Sequence, residues 1–141
     1  MDKKINVKHM NGWEVYEHSS PKITSPVMIC GMPGIGNVGK ICIDILIEGT
    51  KAVLIKSFHS KHLPNSVFVN EENLIDLPKL SLYYKKINNK DFLFLTGDVQ
   101  PVDEQSSYDF TELVIQIFKE YKGDHILTTG GIGLSVVPEH P

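Results

Sequence analysis

The run over residues 27–40, VMICGMPGIGNVGK, restricts what this chain can fold into more than any other stretch. Residues 27–30 are apolar and few, the length of a short buried strand, and Gly31, Gly34, Gly36 and Gly39 crowd in behind them. Glycine is needed where the backbone takes positive φ or where another group must come close, so this cluster predicts a constrained loop. From Val38 onward, Ile41, Cys42, Ile45 and Leu46 recur at helical spacing. Asn37 is the expected N-cap and Gly49 the expected C-terminal stop. Lys40, Asp44 and Glu48 lie four apart along a polar stripe. A strand, a glycine loop and a helix start aim N–H groups and a positive dipole end at one point, which suits an anion.

Two phosphate-binding patterns nearly fit. Gly34-x-Gly36-x-x-Gly39 has the dinucleotide-binding spacing, but the next apolar run ends in Lys56-Ser57-Phe58, without the carboxylate that would hold a ribose. Gly34-x-x-x-x-Gly39-Lys40 matches a P-loop until Ile41 stands where a Ser or Thr would bind magnesium. Each pattern lacks the residue that recognises something other than phosphate. A structural loop is therefore the favoured reading, and no cofactor is expected.

The remainder of the chain reads as one domain over residues 1–141. Its length suits a single core, its net charge is only −3, and no basic block suggests nucleic acid. No apolar run approaches the ~20 residues of a membrane span, and the start of the chain lacks a signal peptide's apolar core. The two cysteines, Cys30 and Cys42, have apolar neighbours and read as packing residues, so a cytoplasmic location is expected.

In chain order, residues 5–17 alternate around Asn11-Gly12, a hairpin signal. Residues 52–56 form a second buried strand, and strand, helix, strand at this spacing predicts a parallel pair with a right-handed crossover. Hairpins are expected at residues 66–77 about Asn70-Glu71-Glu72 and at residues 80–96 about Asn88-Asn89-Lys90. Ser106-x-x-Asp109 resembles a capping box, and behind it Phe110, Leu113, Val114, Ile117, Phe118 and Tyr121 make a regular apolar stripe. Gly123 is expected to end that helix, and residues 125–129 to form the last strand. With a helix before and a helix after the hairpins, the expected fold is α/β, a three-layer sandwich around a mixed, mainly parallel sheet.

Three strands thus empty into distinctive loops: Gly31 to Gly39, Gly97 to Pro101 and Gly130 to Gly133. If those strands are parallel neighbours, the loops form one rim at the strands' carboxyl ends, where open α/β sheets bind ligands. The candidate ligand or partner rim comprises Gly34, Gly36, Asn37, Gly39, Asp98, Gln100, Gly130 and Gly131. Asp98 could serve as a general base, but an Asp after Gly more often bonds its own turn. Lys40 could contact a phosphate, but its place on the polar stripe of the first helix favours solvent. His59 and His62 lack a third ligand in sequence, so no metal is expected.

The segment GMPGIGNVGK at residues 31–40 resembles the signature of archaeal proteins related to the second proteasome assembly chaperone. LTGDVQP at residues 95–101, TTGGIG at residues 128–133 and His62-Leu63-Pro64 are similar to further segments of that family in the same order. The resemblance implies a three-layer fold similar in outline to nucleoside phosphorylases and nucleoside hydrolases. It also implies a non-enzymatic chaperone for proteasome α subunits, often a homo-oligomer, with neither nucleic acid nor membrane as partner. Family members usually continue well beyond the last of these motifs, so the chain is expected to be the amino-terminal part of a longer fold. Some end in a hydrophobic–Tyr–any-residue tail, which Pro138-Glu139-His140-Pro141 does not supply. The alternative is a small-molecule or nucleotide-binding protein, or an enzyme, using the glycine-rich loops. A convergent set of polar side chains around Gly34, Asp98 and Gly131 would distinguish it.

Overall fold

A computed structural model describes residues 6–136. Ile5 and the carboxyl-terminal Pro138–Pro141 tetrapeptide, on which two of the readings above rest, lie outside the described residues.

The chain opens with a hairpin of β1 (Asn6–Met10) and β2 (Trp13–Glu17). Its turn residues Asn11 and Gly12 both take positive φ, the backbone a tight two-residue turn requires. Then come β3 (Val27–Gly31), a 3-10 turn (Ile35–Asn37), α1 (Val38–Thr50) and β4 (Val53–Ser60). A small hairpin of β5 (Phe68–Val69) and β6 (Ile75–Asp76) stands apart as its own two-stranded sheet. A long hairpin of β7 (Leu80–Ile87) and β8 (Lys90–Gly97) follows, then α2 (Glu104–Glu120) and β9 (His125–Thr129).

The seven-stranded sheet runs β1-β2-β4-β7-β8-β3-β9. Strands β8, β3 and β9 pair in parallel, and every other neighbour is antiparallel. The sheet is mixed as expected, mainly parallel in strand direction and mainly antiparallel in pairing. One expectation is corrected: β3 and β4 point the same way but are not neighbours. The β7–β8 hairpin inserts between them, and its pairing along nearly the full length of both strands explains why. A local hairpin closes with little loop entropy, so it enters the sheet as a unit.

The helices take opposite faces. α1 packs over β8, β3 and β9, with Ile43 fully buried and Thr96 of β8 donating a 3.2 Å hydrogen bond to Asp44. α2 buries Phe110, Leu113, Val114 and Ile117 against Trp13, Met28, Phe58, Leu82, Leu93 and Leu95. Burying each large apolar side chain contributes roughly 1.5–3 kcal/mol, so this face carries most of the driving force.

Local details depart from expectation. Asn37 precedes α1 but sits at φ 52° and makes no side-chain cap. α1 runs through Gly49 and ends at Lys51, which takes the left-handed conformation itself. Ile41 and Ile45 are exposed rather than core-facing, with Gly39 and Ile43 forming the buried edge of α1. α2 starts one turn before the expected box: Asp103 is the N-cap and accepts from both the Ser106 N–H and hydroxyl at 2.8 Å. At its other end Lys122 holds the positive φ, while Gly123 leaves space for the Phe118 ring.

Candidate functional site

Parallel pairing of β8, β3 and β9 places the three glycine-bearing loops side by side at one edge of the sheet. They meet through backbone. A Cβ on Gly39 would lie 2.5 Å from the Thr129 carbonyl oxygen, and one on Gly31 would lie 2.1 Å from the Gly39 carbonyl oxygen. A Cβ on Gly131 would come within 2.6 Å of the Ile35 carbonyl oxygen. Real Cβ contacts do not reach such distances, so these glycines let α1 lie against the ends of β3 and β9. Gly36 has a different reason, its φ of 63°.

Side chains then lock the loops. The Thr129 hydroxyl lies within hydrogen-bonding distance of the Cys30 and Gly39 carbonyls, 3.0 and 3.3 Å away, joining β9, β3 and α1. Gln100 donates its amide to the Pro33 carbonyl, tying the second loop to the first. Thr129 was missed in sequence; its signal was a hydroxyl at a strand's last position, directly before Gly130-Gly131.

The structure separates the candidate residues. Gly34, Gly36 and Asn37 are exposed on the first loop, and Gly39 is buried beneath them. Gly130 is exposed and Gly131 half-buried on the third loop. Asp98 turns instead toward β7, accepting the Lys79 N–H at 3.3 Å while its own N–H bonds the Lys79 carbonyl. Its carboxylate therefore holds the β7–β8 end and does not converge with the glycines. Lys40 pairs with Asp44 at 2.8 Å, which is itself held by Thr96, so that ammonium is directed along α1. The Tyr83 phenol is pushed above its usual range, first by burial and then by the Asp98 and Asp44 charges. Burial also pushes the Cys30 thiol up to about 11, consistent with a packing role. Among the described residues no group of His, Cys, Asp and Glu could hold a metal ion. None of their helices is long and apolar enough to cross a membrane.

Below the rim on the α2 side lies a groove of about 350 Å3, lined among others by Cys30, Met32, Leu95, Gln100, Phe110 and Ile126. Outside the rim several large apolar side chains are exposed. Ile35, Val38, Ile41 and Ile45 are exposed along α1, as are Ile126, Leu127, Ile132, Leu134 and Val136 on and after β9. The geometry offers closely joined backbone beside exposed apolar side chains, with Asp98, Gln100 and Thr129 engaged in holding the loops.

Comparison with known proteins agrees with this architecture. The chain is 27% identical to Pyrococcus furiosus PbaB, an archaeal proteasome activator, with a TM-score of 0.84 over 92% of this chain and 55% of PbaB. It shares its fold with P. furiosus PbaA, an archaeal homolog of proteasome-assembly chaperone, at 20% identity and a TM-score of 0.68, covering 90% of this chain and 52% of PbaA. An uncharacterized protein of Methanocaldococcus jannaschii is 24% identical over 83% of this chain and 45% of its own length. The chain thus spans about half the length of these relatives. The PAC2 family model matches residues 28–141, from the β3 strand onward. The chain belongs to the PAC2 family.

Proposed function

We propose that this protein is a proteasome assembly chaperone-like factor that acts through protein–protein contact, without catalysis, on proteasome α subunits. The observation that carries the reading is the apolar margin beside the rim, where Ile41, Ile45, Leu127 and Leu134 are all more than half exposed. Where exposed apolar side chains join into a patch, they mark protein contact sites. Both named P. furiosus relatives are described by their relation to the proteasome, as activator or as assembly-chaperone homolog. Asp98 and Gln100, the polar side chains that a nucleotide or phosphorylase-like site would need, are engaged in loop closure. The reading includes a cytoplasmic location, association of copies with one another, and a single domain at residues 1–141 corresponding to the amino-terminal part of a longer family fold. The coverage of about half of each relative supports that last element.

The test is capture of purified archaeal proteasome α subunits on the immobilised chain. Binding that weakens in an Ile41→Glu/Ile45→Glu variant is expected. No capture by the folded chain, or capture indifferent to that variant, would contradict the proposal.

A further inference from the structure

We propose that β9 is a dimerisation edge, pairing antiparallel with the β9 of a second copy about a two-fold axis at Leu127, so that two sheets join into one. Among the described residues the sheet ends in β1 on one side and β9 on the other, and the two ends differ. β1 carries Lys8 at its centre, exposed, the kind of charge by which natural sheets keep an edge from pairing. β9 holds no Lys, Asp, Glu or Pro, and its register against β3 runs from His125 to Thr129 without a bulge. Among the described residues, no backbone bond from a turn or loop engages residues 125–129. The outer N–H and C=O groups of β9 thus form an unguarded row, and an extended strand is the partner such a row fits.

Both flanks of this edge are poor in charge. The Thr129 hydroxyl reaches the Gly39 carbonyl, so His125, Leu127 and Thr129 lie on the α1 face of the sheet. Ile126 and Thr128 lie on the other face, where they line the 350 Å3 groove with Val114 and Ile115 of α2. Asp44 of α1 meets Thr96 of β8, while Gly39 lies against Thr129 of β9. That rotation sets Val38, Cys42, Ile45 and Gly49, three or four residues apart, along the β9 flank of α1 without a charge among them. A second copy is the occupant because the edge complements itself. With Leu127 opposite its own copy, Ile126 meets Thr128, His125 meets Thr129 and Asp124 meets Gly130, so no like charges are opposed. All five residues of β9 then pair, and the Leu127 pair lies on the α1 face of both copies. The inference rests on the reading that copies associate and names the surface that joins them.

One strand per copy is a small join, so a Kd on the order of 10 μM is expected. Leu127 is half exposed, and Leu127→Lys and Leu127→Glu test the axis by charge exchange. Each variant alone opposes like charges at the axis and is expected to raise the Kd about tenfold in sedimentation. Mixed in equal amounts, the two are expected to recover wild-type association, which misfolded variants could not do. Residues directly opposite in an antiparallel pair have Cα atoms about 4.5–5.5 Å apart, within disulfide reach. Leu127→Cys is therefore expected to give a covalent dimer under mild oxidation, whereas the wild type and Ile126→Cys do not. A wild type still monomeric at about 100 μM would overturn both the edge assignment and the reading that copies associate. Association that ignores the charge exchange, or that gives no Leu127→Cys dimer, would overturn the edge assignment alone.

Discussion

Gly39 and Gly49 sit in the same helix and face opposite consequences of gaining a methyl group. At Gly39 the new Cβ would be driven into the Thr129 carbonyl, whereas at Gly49 it would meet nothing within 4 Å. Gly39→Ala is expected to destabilise the fold by about 1–3 kcal/mol through overpacking. Gly49→Ala is expected to stabilise it by about 0.5–1 kcal/mol, because the position is helical and glycine there costs backbone entropy. Urea unfolding of both variants checks the pair; equal midpoints would show that the loop tolerates more room than its contacts allow. Cys30 permits a second residue-level prediction. Its thiol is raised from an ordinary value near 9 to about 11 by burial, so the native protein favours the protonated form. The stability contribution is fully present below about pH 9 and is lost as pH rises through about 11. Native Cys30 should resist alkylation at about pH 8 and react once the chain is unfolded, as mass spectrometry would show.

At the level of elements, the α2 cap couples sequence to acid stability. Asp103 is held below the usual carboxylate range, first by the Ser106 N–H and then by the Ser106 hydroxyl. A carboxyl with a lowered folded pKa stabilises above its unfolded value and loses that contribution as pH falls through the folded one. Asp103→Asn keeps an acceptor at the cap but removes the titration, so its melting temperature should fall less than the wild type's on acidification below about pH 4. A circular dichroism melt series at each pH measures it, and parallel curves would refute the assignment. The stripe of α2 was legible because its apolar residues recur on one side only. α1 was not, since Ile41, Cys42, Ile43, Ile45, Leu46 and Ile47 put apolar groups around most of the helix. What sets its rotation is the contact of Gly39 with Thr129, ninety residues away in the chain. The cap lies one turn earlier than the spacing predicts, since Ser106 takes part with Asp103 rather than Asp109 as its partner. The expected pairing of β3 with β4 does not form for a related reason: both hairpins are visible locally, but insertion of β7–β8 between β4 and β3 is decided by long-range pairing. Of the candidate site, the meeting of three loops was legible from their shared strand ends. The bond of Asp98 to Lys79 was not, because it depends on a partner nineteen residues away.

For the whole molecule, the decisive feature is the uneven distribution of apolar surface. The α2 face encloses a continuous core, while α1, β9 and residues 132–136 present Ile45, Leu127, Ile132 and Val136 to solvent. Among the described residues β9 is also the last strand of the sheet, with one side of its backbone left unpaired by it. The chain on its own is expected to associate with rising concentration and to bind an apolar dye. Ile45→Glu with Leu127→Lys should reduce both in sedimentation and fluorescence measurements, and a monomer without dye binding would contradict this. The central claim, that the protein works through this surface and not through chemistry at the glycine rim, is tested most directly by hydrogen exchange. The exchange is followed for the chain alone, with archaeal proteasome α subunits, and with magnesium and ATP. Added α subunits should protect residues 35–45 and 126–136, and magnesium and ATP should protect neither these nor residues 97–101. Protection of the three rim loops by ATP, with no response to α subunits, would contradict the account.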